Sequence, residues 1–173
     1  MRLIAMVFLL TLTINSSGQT KNPFQSLKFD KAIICDFESD GEHDYPLVNE
    51  KGQLAAFVKK SVQPDRLTTS QLVSKLGDKQ SYGQVHADCD EPHFGIIFYK
   101  AGKDVAEVKI CLGCNVLSPS LLIPAQNQGK VGHGKNAYYT RTGMSKQFRR
   151  FINALIKKYN FSHPVEAGSG FDK

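Results

Sequence analysis

A chain of 173 residues that is 41% hydrophobic and 22% charged, with 11 Phe and 6 Tyr, is sized for one ordinary folded domain. That composition excludes a disordered polymer and a collagen-like repeat, and four cysteines are too few for a disulfide-dense miniature scaffold. The formal net charge of +6 gives the protein a basic balance, and the order of the charges is informative.

The chain opens with Arg2, an uncharged stretch from Leu3 to Ile14, and the small polar run Asn15-Ser16-Ser17-Gly18. A basic start, an apolar centre and small residues before a cut make a secretory signal peptide, with cleavage expected after Gly18. An uncleaved membrane anchor is the alternative, but the apolar stretch falls short of the roughly 20 residues a span requires. Residues 19–173 then form the mature domain. Export places Cys35, Cys89, Cys111 and Cys114 in surroundings where disulfides persist.

Between Asp30 and Glu50 seven acidic residues stand against Lys31 alone, whereas Val108 to Val165 carries nine Lys or Arg and no acid. The two halves can complement each other within one fold. Alternatively, the basic half meets an anionic partner such as a lipid surface, a polysaccharide or another exported protein. Nucleic acid is disfavoured by export and by the lack of a recognition motif.

In chain order, Lys31–Phe37 reads as a strand and Leu54–Val62 leans the same way. Thr68–Leu76 reads as a helix, with Thr68 and Gln71 as a capping box, Leu67 and Leu72 as a staple, and Gly77 as the stop. Phe94–Tyr99 and Asp104–Cys111 are strands joined by a turn at Ala101-Gly102. In the second, Ala106, Val108 and Ile110 alternate with Glu107 and Lys109, which predicts one buried face and one wet face that carries Cys111 as well. Residues 115–140 read as turns. The chain closes on an amphipathic helix over 145–159 with an apolar stripe of Phe148, Phe151, Ile152, Leu155 and Tyr159. A basic surface of Lys146, Arg149, Arg150, Lys157 and Lys158 accompanies it. Core packing is the preferred role for this helix, and membrane-surface binding is the rival. The expected fold is α+β: one domain with a mostly antiparallel sheet packed against two helices.

Three motifs fail on inspection. Asp36 to Gly41 opens like a calcium loop, but Leu47 occupies the place of its bidentate Glu. Gly129 to Lys135 follows a phosphate-binding loop until Asn136 replaces the required Ser or Thr. Cys111-Leu112-Gly113-Cys114 has redox spacing, but no helix is expected after it to activate a thiol.

The fourth constellation holds. Pairing about Ala101-Gly102, with partner numbers summing to about 203, sets position 92 opposite 111 and 89 opposite 114. Cys89, His93, Cys111 and Cys114 therefore gather at the open end of one hairpin, with His86 nearby. A disulfide from Cys89 to Cys111 or Cys114 is the first expectation. A zinc site of three thiolates and His93, with His86 a remote further ligand, is the second. A dithiol oxidoreductase or a metal-dependent enzyme using Cys111 and Cys114 is the third. The run Cys89…His93-Phe94-Gly95-Ile96-Ile97-Phe98-Tyr99…Ile110-Cys111-Leu112-Gly113-Cys114 resembles small, uncharacterised exported bacterial proteins with no known activity. That resemblance implies bacterial export and one compact domain, and it adds no mechanism. The sequence therefore points to an exported binding or interaction protein without catalysis of its own. No catalytic residue is assigned and no cofactor is required beyond the zinc alternative.

Overall fold

β-branched and aromatic residues on alternate faces make neighbouring strands when both faces find cover, and that is the outcome here. The computed structural model describes residues 22–39, 45–89, 91–166, 168 and 170–172. The expected signal peptide, together with Asp40 and Asp44 of the calcium-like loop, lies outside them. The chain runs through α1 (Pro23–Ser26), β1 (Lys31–Phe37), β2 (Val58–Val62), α2 (Arg66–Gly77), β3 (Tyr82–Gln84), β4 (Phe94–Lys100) and β5 (Lys103–Cys111). It continues through β6 (Val116–Pro119), β7 (Asn127–Val131), β8 (Tyr138–Arg141) and β9 (Gly143–Met144) to α3 (Lys146–Lys158). Five strands form one antiparallel sheet in the order β2-β1-β4-β5-β6, while β3–β9 and β7–β8 are two-stranded ribbons. This is the expected α+β fold. The turn-rich stretch after Asn115 contains three strands that its Pro and Gly content concealed.

The main core lies on one face of the sheet. Ala32 and Ile34 of β1, Phe94, Ile96 and Phe98 of β4, and Ala106, Val108 and Ile110 of β5 pack with Leu72 and Leu76 of α2 and Phe148, Ile152, Leu155 and Ile156 of α3. Phe151 and Tyr159 are only half-buried against that core, so the apolar stripe of α3 is rotated slightly toward Ile156. No helix among the described residues is long and apolar enough to cross a membrane.

The opposite face corrects the sequence reading. On β5 it was expected to be wet, yet on the neighbouring strands Cys35, Phe37, Ile97 and Tyr99 form a second core with Leu47 and Val48. The 45–58 strap covers this face and also seals β5. The Leu47 N–H donates to Glu107 Oε2 at 3.0 Å, and Lys109 Nζ donates to the Tyr45 carbonyl at 3.1 Å. Lys109 and Cys111 are consequently buried. Gly95 is required where strap and sheet meet, because a Cβ there would sit 2.6 Å from both Cys35 Sγ and Leu47 Cδ1.

Helix α2 begins earlier than its capping-box reading. Asp65 is the N-cap: its Oδ1 accepts from the Thr68 N–H at 2.7 Å, and its Oδ2 accepts from the Thr68 hydroxyl at 3.1 Å. Those bonds hold the exposed Asp65 carboxyl below its ordinary range. Leu67 is exposed and staples nothing. Gly77 remains helical and Asp78 is the C-cap. At α3 the expected limits hold, with Ser145 Oγ accepting from the Phe148 N–H.

Candidate functional site

The open end of the β4–β5 hairpin assembles two groups of side chains. Pairing sums are 203 at the turn and 204 beyond a bulge at Phe98/Tyr99, with Lys100 opposite Lys103 and Phe94 opposite Ile110. The bulge moves the expected partner of Cys111 from position 92 to position 93. It does not prevent Cys89 from reaching Cys114, and these two form a disulfide with Cα atoms 5.7 Å apart, inside the range such bonds require.

Cys111 and Cys35 stay as buried thiols. Burial pushes the Cys35 thiol up to about 12, which keeps it protonated and inert. Cys111 Sγ accepts the Cys114 N–H at 3.1 Å. The three-thiolate zinc set does not form, because a disulfide consumes two of its ligands. Nor do Cys111 and Cys114 pair with each other, as the redox-spacing alternative needed.

The turn that carries Cys114 is fixed from below by a residue expected on the surface. Arg149 is 2% exposed. Its Nη1 donates to the Leu112 carbonyl at 2.5 Å and to Asn115 Oδ1 at 3.3 Å, while its Nε bonds Asp172 Oδ1 at 3.1 Å. Asn115 adopts the left-handed conformation at φ 59, and its Nδ2 donates to the Val85 and Met144 carbonyls. One guanidinium thus ties the cysteine turn to α3 and to the C-terminal segment. Its position at i−3 from Ile152 and i−7 from Ile156, inside the apolar stripe, was the signal available in the sequence. The other basic residues keep the expected disposition: Arg150, Lys157 and Lys158 are exposed and Lys146 is half-buried.

The second group is a histidine pair that sequence spacing did not reveal. His93 extends the ladder by one residue, its carbonyl accepting the Phe37 N–H at 3.1 Å and its own N–H reaching the Ile110 carbonyl. Its Nδ1 lies 3.1 Å from the Phe37 carbonyl. A carbonyl only accepts, so Nδ1 of the neutral ring carries the proton and Nε2 holds the lone pair. His163 arrives from the other end of the chain. Asn160 ends α3 in the left-handed conformation at φ 53, a frequent helix stop. Ser162 then anchors the tail, its N–H and hydroxyl donating to Asp36 Oδ2 at 2.9 and 2.7 Å.

This brings His163 onto His93, the ring centroids 3.7 Å apart and the planes 13° from parallel. Its Nδ1 is buried without a hydrogen-bond partner among the described residues, 3.9 Å from Asp36 Oδ1. Glu38, just beyond β1, completes the group: one donor atom from each of Glu38, His93 and His163 lies within 4.8 Å of the others.

The remaining expectations resolve simply. His86 is exposed and its Nδ1 meets the Ala87 carbonyl, apart from this group. The Gly129–Lys135 run belongs to β7 and the turn toward β8, so the strand-to-helix geometry of a phosphate loop is missing. Leu47, in the place of the calcium-loop Glu, is a core residue. Comparison with protein-family models, curated proteins and solved structures returns no match for this chain.

Proposed function

We propose that the protein is an exported binding module, stapled by its Cys89–Cys114 disulfide, that meets an anionic partner without transforming it. The observation that carries the reading is the disulfide, a bond that persists in oxidising compartments and is rare where thiols are kept reduced. The leader-like Arg2, Leu3–Ile14 and Ser16–Gly18 layout agrees with it.

The anionic partner is supported by the β7–β8 ribbon. Lys130, Lys135 and Arg141 are exposed there, and so are Tyr138 and Tyr139 at 58% and 59%. A ribbon that leaves two tyrosine rings in water beside three cations offers both contact area and long-range attraction.

Two measurements test the reading. Exported protein should begin at Gln19, and its intact mass after alkylation in denaturant should show two alkylatable thiols before reduction and four after. Binding to heparin, used as a sulfated polysaccharide probe, should weaken steeply as salt rises and fall when Lys130, Lys135 and Arg141 are changed to Gln. Material that retains Met1, or that shows four free thiols when isolated, would end the export reading. Retention indifferent to those three substitutions would end the anionic one.

A further inference from the structure

We propose that His93, His163 and Glu38 form a binding site for a divalent transition-metal ion, with Zn²⁺ the best match. Two imidazole nitrogens and one carboxylate oxygen are donors that zinc accepts readily, and three protein ligands leave a fourth position open to water or a partner's own donor. The site is independent of the disulfide and of the basic ribbon.

Four observations converge on it. The donors are drawn from three remote parts of the chain, yet one atom of each already lies within 4.8 Å of the other two. A tetrahedral ion at about 2.0–2.2 Å from each donor needs them about 3.4 Å apart, so the donors must draw together as the rings reorient. His93 is pre-set, since its Nδ1 is committed to the Phe37 carbonyl and its Nε2 carries the lone pair. Ligating histidines are commonly oriented this way by a bond at the far nitrogen.

His163 has a waiting partner as well. Its buried Nδ1 makes no hydrogen bond among the described residues and faces Asp36 Oδ1 at 3.9 Å. Asp36 Oδ2 is held by both Ser162 donors, which leaves Oδ1 to accept Nδ1–H once the ring turns. Asp36 and Glu38 together supply the negative charge that offsets a divalent cation.

Metal binding must undo the stack. A metal–nitrogen bond lies in the plane of its imidazole, and two rings 13° from parallel at 3.7 Å cannot both aim at one ion. Rotation of His163 toward Asp36 breaks the stack and closes the Asp36–His163 gap in one movement. His163 can turn because it is only half-buried and follows the last helix rather than lying within it.

The experiment is a Zn²⁺ titration of the oxidised, disulfide-intact protein by calorimetry, joined to X-ray absorption of the bound ion. One saturable equivalent is expected, with a nitrogen and oxygen shell. His163→Ala and Glu38→Gln should each weaken binding more than about tenfold, since even losing an outer partner of a ligand costs that much. Their thermal unfolding should match the parent protein, which separates lost ligation from lost folding. His86→Ala should bind as the parent does. No saturable binding by the parent protein would overturn the proposal, and so would sulfur in the metal's shell. Equal binding by the His163 and Glu38 variants, or an equal loss with His86→Ala, would overturn it too.

Discussion

The two ends of the β4–β5 hairpin are built by different means. At the turn end, Lys100 pairs with Lys103, and Ala101 and Gly102 reverse the chain with φ of 49 and 80. Adjacent residues do nearly all of that work, with Asp30 Oδ2 accepting the Ala101 N–H at 2.8 Å. At the open end, β1, Cys89, His93, the cysteine turn, α3 and the C-terminal segment converge on Arg149, the disulfide and the histidine pair. A turn is encoded locally and can be read locally. A convergence of distant segments exists only once the sheet and helices are in place, so its stability rests on few long-range contacts.

The largest expected effect tests that dependence. Arg149→Ala should cost about 3–5 kcal/mol, because it strands the buried Asp172 carboxylate and the Leu112 carbonyl. Arg149→Lys should not restore the loss, since one ammonium cannot span the three acceptors that the planar guanidinium reaches. Denaturant unfolding measures both. A loss below about 1 kcal/mol for the alanine variant would mean that the open end is held mainly by something else.

Alkaline pH probes the sheet beside the same end. The Cys35 thiol is pushed up by burial from 9.0 to about 12, so the folded state keeps it neutral while the unfolded chain ionises it. Its stabilising contribution is whole below about pH 9 and is lost as pH climbs toward 12, a change of about 4 kcal/mol over that window. Burial raises the Tyr82 hydroxyl in the same direction. Stability measured from pH 7.5 upward should therefore fall, and fall less steeply for Cys35→Ala. Parallel curves for the two proteins would show that Cys35 is not shielded as its setting implies.

Next in size is the staple itself. Cys89 and Cys114 lie 25 residues apart, and closing a loop of that length restricts the unfolded chain by about 3–4 kcal/mol. Cys89→Ser should lose that amount, and reductant acting on the parent protein should reproduce it. A variant as stable as the reduced parent but not the oxidised one is the expected pattern. A variant matching the oxidised parent would remove the disulfide from the stability argument.

What the sequence revealed follows the same division. β1, β4, β5 and α3 were legible because their period-2 or period-3.6 patterns lie in consecutive residues. The cysteine gathering was legible because a hairpin register projects local pairing some ten residues outward. The wet face of β5 was misread because the 45–58 strap that covers it carries no regular pattern. His163 and Glu38 were missed because Ser162 meets Asp36 across 126 positions of sequence, and no periodicity spans such a separation. Arg149 was assigned to the surface by its charge, although its helical phase put it with Ile152 and Ile156.

The smallest effect belongs to the turn end, where local encoding should make the outcome calculable. Ala101 carries a φ of 49, a left-handed conformation in which a Cβ crowds the following carbonyl. Two-residue hairpin turns with both central residues left-handed favour Asn followed by Gly, and Gly102 is already in place. Ala101→Asn should therefore stabilise the protein by about 0.5–1 kcal/mol, which for a domain of this size raises the melting temperature by about 2–4 °C at most. Gly102→Ala should do the opposite for backbone reasons alone, because an added Cβ there meets nothing within 4 Å among the described residues. Thermal unfolding of the two variants side by side decides the matter. Opposite shifts of similar size confirm a turn governed by its own two residues. A large loss from Ala101→Asn would mean that Asp30 and the adjoining strands constrain the turn from outside, and the contrast between the two ends would disappear.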